Sequence, residues 1–287
     1  MSETSLQTLI AQALAAHAER PEEARALLAR AQDLAPAADA EALAELLRAA
    51  EHVLLGHLGD GAAMQEFLKR MPAHDAVQRT RAALALAAGD AAADALLDPL
   101  PAAERVRAHY NAALAHTRTG DWRGAAQLVR QAQDHAVDTA ARKALAALAN
   151  NLAADLRYYH RPGHGLRDEL MLEAARLARA AWGQVGGWLE LERADWQLAL
   201  CAAAVGRADL ALVHARECLR VCADNNADAF ERFFAHQALA LAHLADADPP
   251  AARHERALMA ELLPQVPAAE RDYAGRALAE LDSRLAV

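Results

Sequence analysis

His214, Cys218 and Cys222 follow one another at intervals of four residues, which sets all three on adjacent turns of one helix face. Imidazole nitrogen and thiolate sulfur are ligands for transition metals. Three ligands strung along about 12 Å of straight helix cannot all reach one ion, and a cysteine also serves as a compact apolar core residue. The expected role of the trio is therefore structural. His160 and His164 in the HRPGHG segment are a second pair, with Asp168 and Glu169 close behind. A loop is free to bring both imidazoles to one ion or substrate, but the plainer expectation is a solvated connection between helices. Glu231 and His236 are five residues apart and fall on different sides of a helix, so they form no acid-base pair. No glycine-rich phosphate loop, nucleophile elbow or HExxH sequence occurs. No catalytic residue, metal ligand or cofactor is assigned on this reading, and the chain is not read as an enzyme.

The composition explains why chemistry is sparse. Alanine and leucine dominate, aromatic residues are 4% of the 287, and the β-branched residues that favour strands are scarce. Helix is expected throughout, with leucine packed on alanine between closely spaced helices. A formal net charge of -9, with Lys69 and Lys143 as the only lysines, argues against nucleic-acid or anionic-membrane binding, which need clustered cations. Three cysteines confined to one region form no disulfide framework and fit a reducing compartment. The N-terminal stretch lacks a basic segment followed by a long apolar one, and no run of about 20 uncharged apolar residues occurs. A cytoplasmic location is expected.

The apolar periodicity, punctuated by glycine and proline, predicts consecutive helices. They run over 5–18 and from Pro21, over 40–57 and 62–70, over 75–88 and 91–97, and over 102–118 and 122–136. A helix over 139–159 follows, interrupted by the HRPGHG segment and resumed over 166–182. Then come 188–205 and 208–223, 227–245 and 249–263, and a polar last helix over 268–285. All ten prolines fall at predicted helix boundaries, where the missing N–H costs little; inside a helix each would cost about 3 kcal/mol. The glycines of the tight turns, Gly59, Gly89 and Gly120, are 30 and 31 residues apart.

The clearest unit is 111–133, NAALAHTRTGDWRGAAQLVRQAQ, with Gly120 at its turn and Ala125 and Ala132 on the inner face of the second helix. Ala24, Ala31 and Pro36 repeat the pattern early in the chain, and Gly206, Ala211, Ala215 and Cys218 repeat it late. This arrangement resembles the tetratricopeptide repeat, a helix-turn-helix unit of about 34 residues. The resemblance implies an all-α, right-handed α-α superhelix: one domain over 1–287, of about seven helix pairs plus a C-terminal capping helix over 267–285. The best units are 5–36, 102–137 and 188–223.

The resemblance also implies a site. In that family the first helix of each pair lines a concave groove that binds peptides. The matching positions here are Arg107, Tyr110 and Asn111; then Asn150, Asn151, Arg157 and Tyr158; then Arg193, Trp196 and Gln197; and finally Phe234 and Gln237. Asn and Gln can hydrogen-bond a peptide backbone, Arg can clasp a carboxylate, and the rings add contact area. The function expected is a non-enzymatic scaffold or adaptor whose partner is a protein or peptide bearing an acidic group. Two rivals stand beside it. One is a regulatory sensor whose superhelix shifts when a ligand binds, and the other is a helical metal protein or enzyme.

Overall fold

The computed structural model describes residues 5–158, 160 and 163–286. Helix makes up 81% of the chain and no strand is found among the described residues. None of the described helices is long and apolar enough to cross a membrane. The chain divides into two compact units, Met1–Leu145 and Ala146–Val287.

The first unit contains α1 (Leu6–Ala16), α2 (Pro21–Gln32), α3 (Ala40–Ala50), α4 (Gly61–Lys69), α5 (Asp75–Ala88), α6 (Ala93–Leu97), α7 (Ala102–Thr119) and α8 (Trp122–Asp134). Neighbours in sequence pack as antiparallel partners, α1 with α2 and α7 with α8. Every described proline lies at a helix end or in a short 3-10 turn. Pro162 lies outside the described residues.

The stretch around Gly120 folds as its residues require. Gly120 has φ 77°, a left-handed conformation that closes α7 without a Cβ clash. Asp121 then caps α8, its carboxylate accepting from the Gly124 amide at 3.0 Å. Ala125 and Ala132 are both buried in α8, where their small side chains let the helix lie close to its neighbour.

Residues 40–57 depart from expectation. The periodicity predicts one continuous α-helix, whereas α3 stops at Ala50 and Glu51–His57 forms a π-helix. The Leu58 amide bonds the Val53 carbonyl, five residues back, at 2.9 Å. The four consecutive residues Val53, Leu54, Leu55 and Gly56 are all buried, so the segment is enclosed on most of its sides. Glu51, at the start of this segment, is held by a buried guanidinium. Arg79 of α5 donates to both Glu51 oxygens, at 3.0 and 2.8 Å, and to Glu104 of α7 at 2.6 Å. Thr80 adds a hydroxyl bond to Glu51.

The second unit contains most of α9 (Thr139–Tyr158), with α10 (Gly165–Val185), α11 (Trp188–Ala204), α12 (Ala208–Asp224), α13 (Ala229–Ala245), α14 (Pro249–Leu262) and α15 (Arg271–Leu285). Here α11 packs on α12, α12 on α13, and α13 on α14, while α15 rests on both α13 and α14. Ala211, Ala215 and Cys218 form the fully buried inner face of α12. The last helix begins at Arg271, later than the expected start, because 267–270 form a turn closed by the Glu270 amide on the Pro267 carbonyl at 2.9 Å.

Replacing Ala125 by Leu should overpack the α7–α8 contact and lower stability by about 1–3 kcal/mol. Urea denaturation followed by circular dichroism measures it; an unchanged midpoint would show that the α7–α8 contact has slack for three more carbons.

Candidate functional site

Aromatic residues are few in this chain, yet four of them meet at one place in the second unit. Trp196 of α11, Phe230 and Phe234 of α13 and Tyr273 of α15 line a cavity of about 200 Å³. The rings pack edge to face: Trp196 and Phe234 have centroids 5.9 Å apart at 84°, and Phe230 and Phe234 are 4.8 Å apart at 61°. Tyr273 lies 5.3 Å from Phe234 at a tilt of 36° and is half exposed. Trp196 is fixed on both sides. Its indole N–H donates to Gln237 Oε1 at 3.3 Å, and the Arg157 guanidinium lies over its ring, 5.5 Å from the centroid.

Asn150, Glu192, Arg193 and Glu231 complete the lining. Arg193 donates through Nε and Nη2 to Glu231. Glu192 is almost fully buried on the next helical position of α11. Cys218 donates its S–H to Glu192 Oε1 at 2.7 Å, with Cys222 Sγ at 3.6 Å from the same oxygen. The other oxygen, Oε2, is buried without a hydrogen-bond partner. Burial, with the nearby Glu231 carboxylate adding to it against the bond from Cys218, pushes the Glu192 carboxyl up to about 7. A second cavity of about 630 Å³ in the same unit is lined by Arg157, Tyr158, His160 and Leu200, with Glu280 and Arg284 of α15.

The structure sorts the positions implied by the repeat resemblance. Asn150, Arg193, Trp196 and Phe234 come together in the aromatic cavity, and Arg157 and Tyr158 line the larger one. Gln237 supports Trp196 from a buried position. Gln197 is buried, with its amide 3.5 Å from Cys201 Sγ, so it is part of the core and not of a binding wall. Asn151 is exposed and lines neither cavity. Arg107, Tyr110 and Asn111 belong to α7 of the first unit; Asn111 is buried and Arg107 pairs with Glu104 one turn away at 3.0 Å. Arg193, expected to meet a partner's carboxylate, has Glu231 as its carboxylate instead.

Phe230, Tyr273 and Glu192 are not reached from the sequence, where Glu231 enters only beside His236. Phe230 and Phe234 stand at i,i+4, a ring pair on one helix face, and that signal was readable. Tyr273 was not, because its helix reads as a polar cap.

His214, Cys218 and Cys222, expected to be structural, make separate contacts. His214 Nδ1 lies 2.7 Å from Asp195 Oδ1, whose carboxylate also takes Arg179 at 3.1 Å, while both thiols face Glu192. The Cys222 thiol, followed by burial, pushes the Cys218 thiol up, and burial pushes Cys201 up to about 12. Such thiols are poor nucleophiles. His160 Nε2 lies 3.1 Å from Asp168, and residues 161 and 162 of the HRPGHG segment lie outside the described residues.

Glu192 predicts a pH dependence of stability. Its folded value is raised above the ordinary 4.5, so stability is full below about pH 4.5, where both states hold the proton. It falls from there to about pH 7, as the unfolded chain releases the proton and the folded chain retains it, and is level above. Glu192→Gln keeps an acceptor for Cys218 and removes the titration. Between pH 4.5 and 8 the variant should gain on the wild type by on the order of 3 kcal/mol, read from urea melts at each pH; parallel profiles would contradict it. Neither a scan against protein-family models nor a search of curated proteins finds a match to the chain.

Proposed function

We propose that the chain is a non-enzymatic peptide- or protein-binding module of tetratricopeptide type, its helix pairs stacked in a right-handed α-α solenoid and its binding site in the second unit. The aromatic cavity carries this reading. Trp196, Phe230, Phe234 and Tyr273 gather in a chain that otherwise packs through alanine and leucine. An exposed ring such as Tyr273 contributes little to a core, whereas rigid rings around a cavity offer contact area at small entropic cost.

The occupant is an apolar or aromatic side chain of an extended or helical peptide, with the Asn150 amide at the cavity wall available to its backbone. An acidic group of the same peptide meets Arg157 beside Trp196, since Arg193 is already engaged by Glu231. His214, Cys218 and Cys222 are tied to the neighbouring carboxylates of Asp195 and Glu192, which supports binding over catalysis.

A displayed peptide library selected on the intact chain, followed by calorimetry, tests the proposal. Tyr273→Ala should weaken the selected peptides at least about tenfold, about 1.4 kcal/mol, without changing helicity. Removing the peptide's acidic group should weaken binding to the wild type but not to Arg157→Ala. Arg220 is exposed on α12 and bound to Glu217 and Asp224, so Arg220→Glu should change little. Full affinity for Tyr273→Ala together with loss of binding in Arg220→Glu would move the site out of the cavity.

A further inference from the structure

Three histidines in the first unit, none of which belongs to the cavities above, converge. His17 ends α1, and His52 and His57 belong to the π-helix Glu51–His57. Their ring centroids are 4.7 Å apart for His17 and His52, 4.6 Å for His17 and His57, and 4.8 Å for His52 and His57. One ring nitrogen from each lies within 4.8 Å of the other two, and all three side chains are partly exposed. Among the described residues this is the one group of three His, Cys, Asp or Glu side chains with metal-binding proximity.

The π-helix is what makes the group. His52 and His57 are five residues apart, so an α-helix would point them about 140° away from each other. The i→i+5 bonding of a π-helix stacks residue i+5 over residue i and turns both imidazoles to one face. That wider turn is held at its start by the buried Glu51–Arg79 pair and at its end by the Asp60 amide on the Leu54 carbonyl at 2.7 Å. His17 then faces the pair from α1.

We propose that His17, His52 and His57 form a binding site for a divalent transition-metal ion of the zinc class, with its fourth coordination position open to solvent. The ligand set is neutral imidazole alone, which suits Zn²⁺ and its borderline neighbours and not the oxygen-seeking Mg²⁺ or Ca²⁺. His17 Nδ1 is hydrogen-bonded to the Leu14 carbonyl. A ring that donates Nδ1–H to a backbone carbonyl carries its free lone pair on Nε2, the second-shell arrangement that orients metal-binding histidines.

Tetrahedral zinc with bonds of about 2.0–2.1 Å sets its ligand nitrogens roughly 3.3 Å apart. Rotation of three partly exposed side chains supplies the contraction from 4.8 Å. Arg118, whose charge is felt at His52 and His57, suits an anionic fourth ligand, such as hydroxide or a carboxylate.

The test uses the full chain without a histidine tag, stripped with a chelator and titrated with Zn²⁺ against a fluorescent chelator, with Mg²⁺ as control. One Zn²⁺ per chain is expected, Mg²⁺ should not compete, and Co²⁺ should give the visible absorption of a tetrahedral nitrogen site. His17→Ala, His52→Ala and His57→Ala should each weaken Zn²⁺ binding at least about tenfold. His214→Ala, with Cys218 and Cys222 intact, should leave it unchanged. A readout on the wild type guards against variants that fail to fold: bound Zn²⁺ should protect His17, His52 and His57 from diethyl pyrocarbonate, mapped by peptide mass. The assignment is overturned by no stoichiometric Zn²⁺ on the wild type, by Zn²⁺ that protects other histidines instead, or by undiminished binding in folded His17→Ala and His57→Ala.

Discussion

Close approach of helices through alanine is the constraint on which the rest depends. With four phenylalanines, four tyrosines and four tryptophans in 287 residues, large rings cannot fill a wide interior. Helices must therefore come near enough for leucine and alanine to close the gaps. Ala24 and Ala31 in α2, Ala125 and Ala132 in α8, and Ala211 and Ala215 in α12 are each buried to 2% exposure or less. Cys218 joins them as a small, fully buried side chain.

Tight packing leaves little room for water, so charge that enters the interior must find its partner in the protein. Arg79 is 2% exposed and meets Glu51 and Glu104. Asp195, fully buried, is shared by Arg179 and His214. A buried pair of this kind contributes little net stability, because desolvation offsets its attraction. It fixes geometry instead. Arg79 holds Glu51 from a different helix, and the backbone that follows Glu51 leaves the α-helical path, which sets the direction of His52 and His57.

Glu192 is the exception that marks the second unit. Its Oε2 has no hydrogen-bond partner, and burial, with the Glu231 carboxylate nearby, pushes its carboxyl up to about 7. It sits beside the cluster of rings around Phe234, and Arg193 next to it is directed to Glu231. The alanine rule is relaxed here: α13 spends three of the four phenylalanines of the chain on Phe230, Phe233 and Phe234. Side chains of that size between helices that must also admit Trp196 and Tyr273 leave a cavity in place of a closed seam.

The sequence by itself determined the helical class and most of the helix ends. Alanine and leucine fix the class, Gly120 and Gly206 supply the left-handed turns at φ 77° and 72°, and proline marks ends because it lacks the N–H that a helix interior uses. Part of the cavity lining was legible too, since Asn150, Arg193, Trp196 and Phe234 are among the positions that the tetratricopeptide resemblance implies. Tertiary structure decided the rest. Whether Arg193 faces a partner or Glu231 depends on a residue 38 positions away. Tyr273 reaches the cavity only because α15 lies on α13. The π-helix has no signature in a local apolar period, and the Glu51 that begins it is held by Arg79, 28 positions further along. Local propensity sees neighbours along the chain, and these contacts are made by residues that only folding brings together.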